Sequence, residues 1–179
     1  LHVQKTGKKY LTVDVARFGR DRTVFMLWDG LVLTEILSYG KTSVVEVEQL
    51  IRHTCAKHEI PLRNVIVDED GVGGGVVDLL KTCTGFVNNS KPLPEKTGLS
   101  NYQNLKTQCY FYLAKLIKES KILVLDTNSQ AKEYLVQELE QLKRKDFDKD
   151  QKIKLLEKEK IKDNIGRSPD YSDCMMLRM

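Results

Sequence analysis

The chain has 179 residues, 41% apolar and 30% charged, with 29 Lys or Arg against 25 Asp or Glu and a net charge of +4. That length suits one domain with a proper core, and the composition is that of a globular protein rather than a disordered or fibrous one. No apolar run reaches 18 residues and no signal peptide is visible, so a soluble, intracellular chain without a membrane span is expected.

Residues 1–9 read as the remnant of a linker, and 10–179 as the domain. The chain opens on Leu1 rather than Met, as a piece of a longer protein would. Tyr10–Phe18, Thr23–Asp29 and Leu31–Tyr39 read as three successive strands, the last two joined tightly at Asp29-Gly30. In the first strand Asp14 interrupts Leu11, Thr12, Val13 and Val15 near the centre of the run. A buried carboxylate there must be paired, hydrogen-bonded or bound to a cation, because desolvating it alone costs several kcal/mol.

Ser43-Val44-Val45-Glu46 is a capping box that opens a helix with apolar positions 44, 47, 51 and 55, ending before Pro61. Asn64–Asp68 is a fourth strand, followed by the turn Gly71–Gly75 and a helix through Val76, Val77, Leu79 and Leu80. Residues 84–100 read as a long loop around a short strand at Phe86-Val87. Leu105, Cys109, Tyr112, Leu113 and Leu116 give a helical period; Ile122–Leu125 is a short strand; Ala131, Leu135, Leu139 and Leu142 mark another helix. A basic stretch then alternates like a hairpin around Phe147–Asp150. The last helix is expected to begin at Ser168 as N-cap with Pro169 at N1. Hairpin strands followed by strand–helix alternation imply an α/β mixed sheet with helices on both faces, and ligands gather at strand ends in such sheets.

Gly71 and Gly73 fit a dinucleotide fingerprint, but Val76 takes the third glycine position and the acid precedes the glycines, so that reading fails. The glycines are better explained by a tight turn beside Asp68 that leaves room for a cation. Gly40-Lys41-Thr42 lacks the upstream glycine of a P-loop, Glu35 standing there instead. His53 and His58 do not share a helix face, and Cys55, Cys83, Cys109 and Cys174 are too scattered for a zinc or disulfide framework.

The acids carry the chemistry. Asp14 lies in a strand, Asp68 at a strand end, and Asp170 and Asp173 at the start of the last helix. Oxygen ligands without His or Cys favour Mg²⁺ or Mn²⁺. One or two such ions, held by shared carboxylates, activate water and stabilise the leaving oxygen in phosphodiester cleavage. Strand alternation puts Asp68 and Asp70 on one side and Glu69 on the other, with Asp68 preferred as ligand and Asp70 behind it. Asp170 at an exposed first turn is accounted for by the helix dipole, or by a second, weaker ion. Asp173, a turn deeper among apolar neighbours, is expected to ligate directly. Between Lys143 and Lys162 there are nine Lys or Arg against five acids. Lys143, Arg144, Lys145, Lys152 and Lys154 are therefore expected to meet the phosphates of an anionic partner such as nucleic acid without reading sequence, a solvated hairpin surface being the other explanation.

Three segments together, 14–23 (DVARFGRDRT), 67–78 (VDEDGVGGGVVD) and 166–173 (GRSPDYSD), resemble in order and spacing the nuclease domain of tailed-phage terminase large subunits. The resemblance runs from about residue 10 to the end. It implies an RNase H-like fold and a metal-dependent endonuclease that cuts concatemeric viral DNA during packaging in the bacterial host cytoplasm. It also implies a two-metal-ion reaction on double-stranded DNA, an ATPase domain in cis that this chain lacks, and the terminase small subunit and portal as partners. Asp14, Asp68 and Asp173 match the metal-binding catalytic acids; Asp21 and Asp170 match acidic positions that recur in the same motifs. The alternatives are an RNase H-like junction resolvase or transposase-type nuclease, and a non-catalytic nucleic-acid-binding assembly module.

Overall fold

A computed structural model describes residues 3–16, 21–94, 101–145 and 152–179. Strand β1 (Lys9–Asp14) pairs antiparallel with β2 (Arg22–Asp29), and β2 with β3 (Val32–Gly40). The expected turn between the last two holds Gly30 at φ 63°, in the left-handed region that glycine enters without strain. Helix α1 (Val44–His58) opens on the expected capping box, Ser43 N donating to the Glu46 carboxylate at 2.7 Å and Glu46 N to Ser43 Oγ at 3.2 Å. Next come β4 (Val65–Asp68), α2 (Gly73–Leu80), β5 (Thr84–Phe86), α3 (Leu105–Lys118), β6 (Leu123–Val124) and α4 (Ser129–Gln141). A two-stranded ribbon of β7 (Arg144–Lys145) and β8 (Lys154–Leu155) leads into α5 (Lys158–Ile165) and α6 (Asp170–Met176).

The sheet order is β5-β4-β1-β2-β3-β6, with β1, β4 and β5 mutually parallel and β6 parallel to β3. Two apolar cores sandwich it. Leu11, Val13, Phe25, Leu27, Val65 and Val67 pack against α1 and α2 on one face. Val24, Met26, Trp28 and Ile36 pack against α3, α4 and α6 on the other. Each fully buried side chain of this kind contributes roughly 1.5–3 kcal/mol of transfer free energy, which fixes the facing of β1. Leu11 and Val13 look toward α1. Thr12 looks toward α6, where its Oγ1 accepts from Trp28 Nε1 at 3.2 Å and lies 3.5 Å from Cys174 Sγ. Asp14, two residues on, shares that side.

Several elements differ from expectation. β1 stops at Asp14, so this acid ends the strand instead of interrupting it; Arg17 and Phe18 lie outside the described residues. Gly73–Gly75 open α2, and only Gly71 has a positive φ among the turn glycines. Tyr112 is half exposed, and Tyr110 is the aromatic residue buried from α3. The basic stretch is a ribbon followed by helix α5, not a hairpin throughout; Phe147–Asp150 lie outside the described residues. α6 begins at Asp170 with Pro169 in the N-cap position and no side-chain cap from that residue, one residue later than a Ser168 N-cap predicts. Among the described residues no helix is long and apolar enough to cross a membrane.

Candidate active site

β1 and β4 are parallel neighbours with Val13 opposite Val67, so the next residues, Asp14 and Asp68, stand side by side at the strands' C-terminal ends. Their side is the α6 side of the sheet. What lets β4 end so close to α2 is Gly73: a Cβ there would lie 1.6 Å from the Asp68 carbonyl oxygen. The glycine is needed for close backbone approach, not for an unusual φ.

Helix α6 supplies the other two acids. Asp173 is 2% exposed and held at both oxygens. Lys106 Nζ meets Oδ1 at 2.7 Å, the Tyr110 hydroxyl donates to Oδ1 at 2.6 Å, and Lys158 Nζ meets Oδ2 at 3.0 Å. Burial disfavours the Asp173 carboxylate, but Lys106 and Lys158 outweigh burial and hold its pKa below the usual range. Burial also works against the Lys158 ammonium, and Asp173 and Asp14 reverse it, raising that pKa. Asp170 is 8% exposed, contrary to the exposed first turn expected of it, and accepts from Arg22 N at 3.0 Å. Burial raises its pKa, with Arg22 N and Ser168 opposing and Asp21 adding to the rise.

Asp14 is the acid least compensated among the four. It is 7% exposed, and its Oδ2 has no hydrogen-bond partner among the described residues. Burial and then the charges of Asp173 and Asp170 push its pKa well up, and Lys158 offsets them only in part. Asp68 is raised mainly by burial, against donors from Asp70 N and Asn88. The four acids thus sense one another across the sheet end. Among the described residues, however, no group of three or more His, Cys, Asp or Glu side chains is set to hold a metal ion as it stands.

Two clefts flank α6. One of about 190 Å³ is lined by Lys106, Tyr110, Leu155, Lys158 and Asp173. The other, about 310 Å³ and more polar, is lined by Asp21, Arg22, Arg167, Ser168 and Asp170. Asp170 and Asp173 therefore open on different sides. A larger apolar cavity of about 480 Å³ between α3 and α4 holds none of these four acids. The β7–β8 ribbon adjoins the first cleft through Leu155. Lys145 and Lys154 are cross-strand partners, Lys145 Nζ reaches Glu157 at 2.7 Å, and Lys152 is exposed; Lys143 O accepts from Leu156 N. Arg144 lines the apolar cavity.

Besides Tyr110, sequence reasoning missed four contributors. Lys106 and Lys158 sit in helices with no local mark of their partner. Glu138 is fully buried on α4 and acts as a cap for α6 from outside that helix: Ser172 N donates to its Oε2 at 2.6 Å, and Arg167 pairs with Oε1. Burial lifts its pKa to about 7, against Ser172 N and Arg167. The one local signal was an acid three residues after Leu135, on the apolar face of a helix. Asn88 donates through Nδ2 to both oxygens of Asp68, at 3.1 and 3.2 Å, and to Asp70 at 2.7 Å. Asp70 thus meets Asn88, not the acids of α6.

No protein-family model matches the sequence, and no curated protein does. Solved structures do. The nuclease domain of the large terminase subunit of bacterial virus Sf6 matches at TM-score 0.79 and 20% identity, covering 97% of this chain and 88% of that one. The large terminase nuclease from thermophilic phage G20c matches at TM-score 0.61 and 12% identity, covering 99% and 90%. Structures of the former contain manganese or calcium, and of the latter magnesium or cobalt. The order of strands and the placement of helices on both faces give this chain the RNase H-like fold of phage terminase large-subunit nuclease domains.

Proposed function

We propose that the chain is a divalent-metal-dependent DNA endonuclease that cuts concatemeric viral DNA during genome packaging. The observation that carries this is the buried Asp14 Oδ2, without a donor among the described residues, beside three further carboxylates on a nuclease fold. A desolvated carboxylate oxygen with no donor costs several kcal/mol unless a proton or a cation meets it. The donor set is all oxygen, which fits Mg²⁺ or Mn²⁺. Asp14, Asp68 and Asp173 would hold one or two ions, with Asp170 reaching a second from the far side of α6 and Asp21 beyond it. Bound there, such ions supply an activated water and charge neutralisation at the scissile phosphate.

The chain's own residues do the rest. Lys106 and Lys158 place two positive charges on the cleft wall beside Asp173, where a phosphodiester would approach. Tyr110 fixes the Asp173 rotamer from beneath. Glu138 fixes the first turn of α6. Lys143, Arg144, Lys145, Lys152 and Lys154, on and next to the ribbon, extend the positive charge along a duplex. In the bacterial host cytoplasm an ATPase domain in cis, the terminase small subunit and the portal would complete the packaging machinery.

The test is plasmid incubation with Mn²⁺, with Mg²⁺ and with chelator. Nicking with metal, none with chelator, and none for Asp173→Ala are expected, while Asp170→Ala should retain part of the activity. A protein that binds plasmid but never nicks it is the non-catalytic module instead.

A further inference from the structure

Two buried side-chain oxygens lack a hydrogen-bond donor among the described residues, Asp14 Oδ2 and Asn88 Oδ1. Both belong to the same acid cluster, since Asn88 Nδ2 touches Asp68 and Asp68 flanks Asp14. A buried acceptor left unmade costs roughly 1–3 kcal/mol, so each orphan calls for a donor or a cation.

The orientation of the Asn88 amide is dictated by its neighbours. Its backbone N donates to Asp70 Oδ2 at 3.1 Å and its Nδ2 to the same oxygen at 2.7 Å. The remaining Nδ2 hydrogen is shared between the two oxygens of Asp68. Turning the amide over would set its carbonyl oxygen against three carboxylate oxygens. Both hydrogens are therefore committed to carboxylates, and Oδ1 is left as a buried acceptor with nothing to accept. Asp70 N donates to Asp68 Oδ1 at 3.0 Å, closing the arrangement at the end of β4.

Resting on the metal-dependent reading above, we propose that Asn88 is a further member of the cation site, with Nδ2 orienting Asp68 and Oδ1 accepting from the cation's hydration shell. This gives Asp70 a role that its position alone does not explain. It sets which way the Asn88 amide faces, and so presents an acceptor, not a donor, to the site. Divalent ions with oxygen ligands keep several waters, and those waters are the donors that a buried amide oxygen lacks.

The experiment uses the 179-residue protein with Mn²⁺ as the probe. Calorimetric titration gives affinity, and relaxation of solvent nuclei gives the exchange rate of water on bound Mn²⁺. Asn88→Ala should weaken binding by roughly 10–100-fold, the usual effect of removing a group that supports a metal ligand, and should speed water exchange. If Asn88→Ala does not melt cooperatively, Asn88→Ser, which keeps a short polar group, is measured in the same way. Wild-type affinity in the folded variant overturns the proposal. So does weaker binding with unchanged water exchange, which leaves Asn88 only a brace for Asp68. If the unaltered protein binds no Mn²⁺, the metal-dependent reading itself falls and takes this one with it.

Discussion

Gly73 offers a sharp test of how the sheet end is built. A Cβ at this position would sit 1.6 Å from Asp68 O and 2.8 Å from Asp68 C, against an ordinary contact distance of 3.4 Å or more. Both obstacles are backbone, so Gly73→Ala must push the first turn of α2 and the end of β4 apart by well over 1 Å. Overpacking of this kind costs roughly 1–3 kcal/mol or more, and the helix propensity gained from alanine returns only about 0.5–1 kcal/mol. For a domain of this size each kcal/mol moves Tm by about 2–4 °C, so a fall on the order of 5 °C is expected. Activity should suffer more, since a misplacement of about 1 Å costs on the order of 100-fold. Gly74→Ala is the control: its Cβ meets Glu69 O at 3.3 Å, so it should lie within about 1 kcal/mol of the parent. Thermal melts and plasmid nicking of both variants decide it. If Gly73→Ala matches Gly74→Ala in Tm and rate, the close-approach argument is wrong.

Asp14→Asn should abolish nicking yet leave the metal-free protein as stable as before, or more so, at neutral pH. The folded pKa of Asp14 lies above its unfolded value, so its favourable contribution is present in acid and is lost as pH rises through the folded pKa. Urea midpoints in chelator should accordingly fall less with pH in the variant than in the parent; equal slopes would refute this. Glu138→Ala should cost about 1–3 kcal/mol by leaving the buried Ser172 N without its acceptor, Arg167 keeping Tyr134 O and Gln137 Oε1, whereas Glu138→Gln keeps an acceptor for Ser172 N and should lose less in both Tm and Mn²⁺ affinity. Neutralising Lys143, Arg144, Lys145, Lys152 and Lys154 should flatten the log–log salt dependence of duplex binding by about 0.9 for each phosphate no longer neutralised; an unchanged slope in a folded variant would show the ribbon to be a solvated surface.

What the sequence reveals here is what local chemistry decides. The Ser43–Glu46 capping box, the Asp29-Gly30 turn and the parallel strand ending at Asp68 are each written in adjacent residues. The start of α6 is not, because Ser168 is drawn to Asp170 and Glu138 caps the helix from another element. Tyr110 and Tyr112 are two apart on one helix, so both satisfy part of an apolar period; only packing against α6 chooses Tyr110, through Ser172 and Asp173. Asn88, Lys106 and Lys158 act across separations of 15 to 67 residues, and a polar residue in a loop or helix carries no sign of such a partner.

The charge arrangement at the sheet end also sets how a cation and the fold are linked. Asp173 is ionised and offset by two ammoniums, so its contribution to stability is present above its unfolded pKa and is lost as pH falls through the folded one. Asp14, Asp68 and Asp170 have folded pKa values raised by burial and contribute in the opposite sense. Without a cation, then, rising pH strains three acids while securing one. A divalent ion that binds only the folded state would add RT ln(1 + [L]/Kd), about 2.7 kcal/mol at 100 times Kd, and only once those acids have lost their protons. Stabilisation by metal should therefore grow with pH over the range in which the metal-free protein weakens, which ties the repulsion among these carboxylates to the ion that would relieve it.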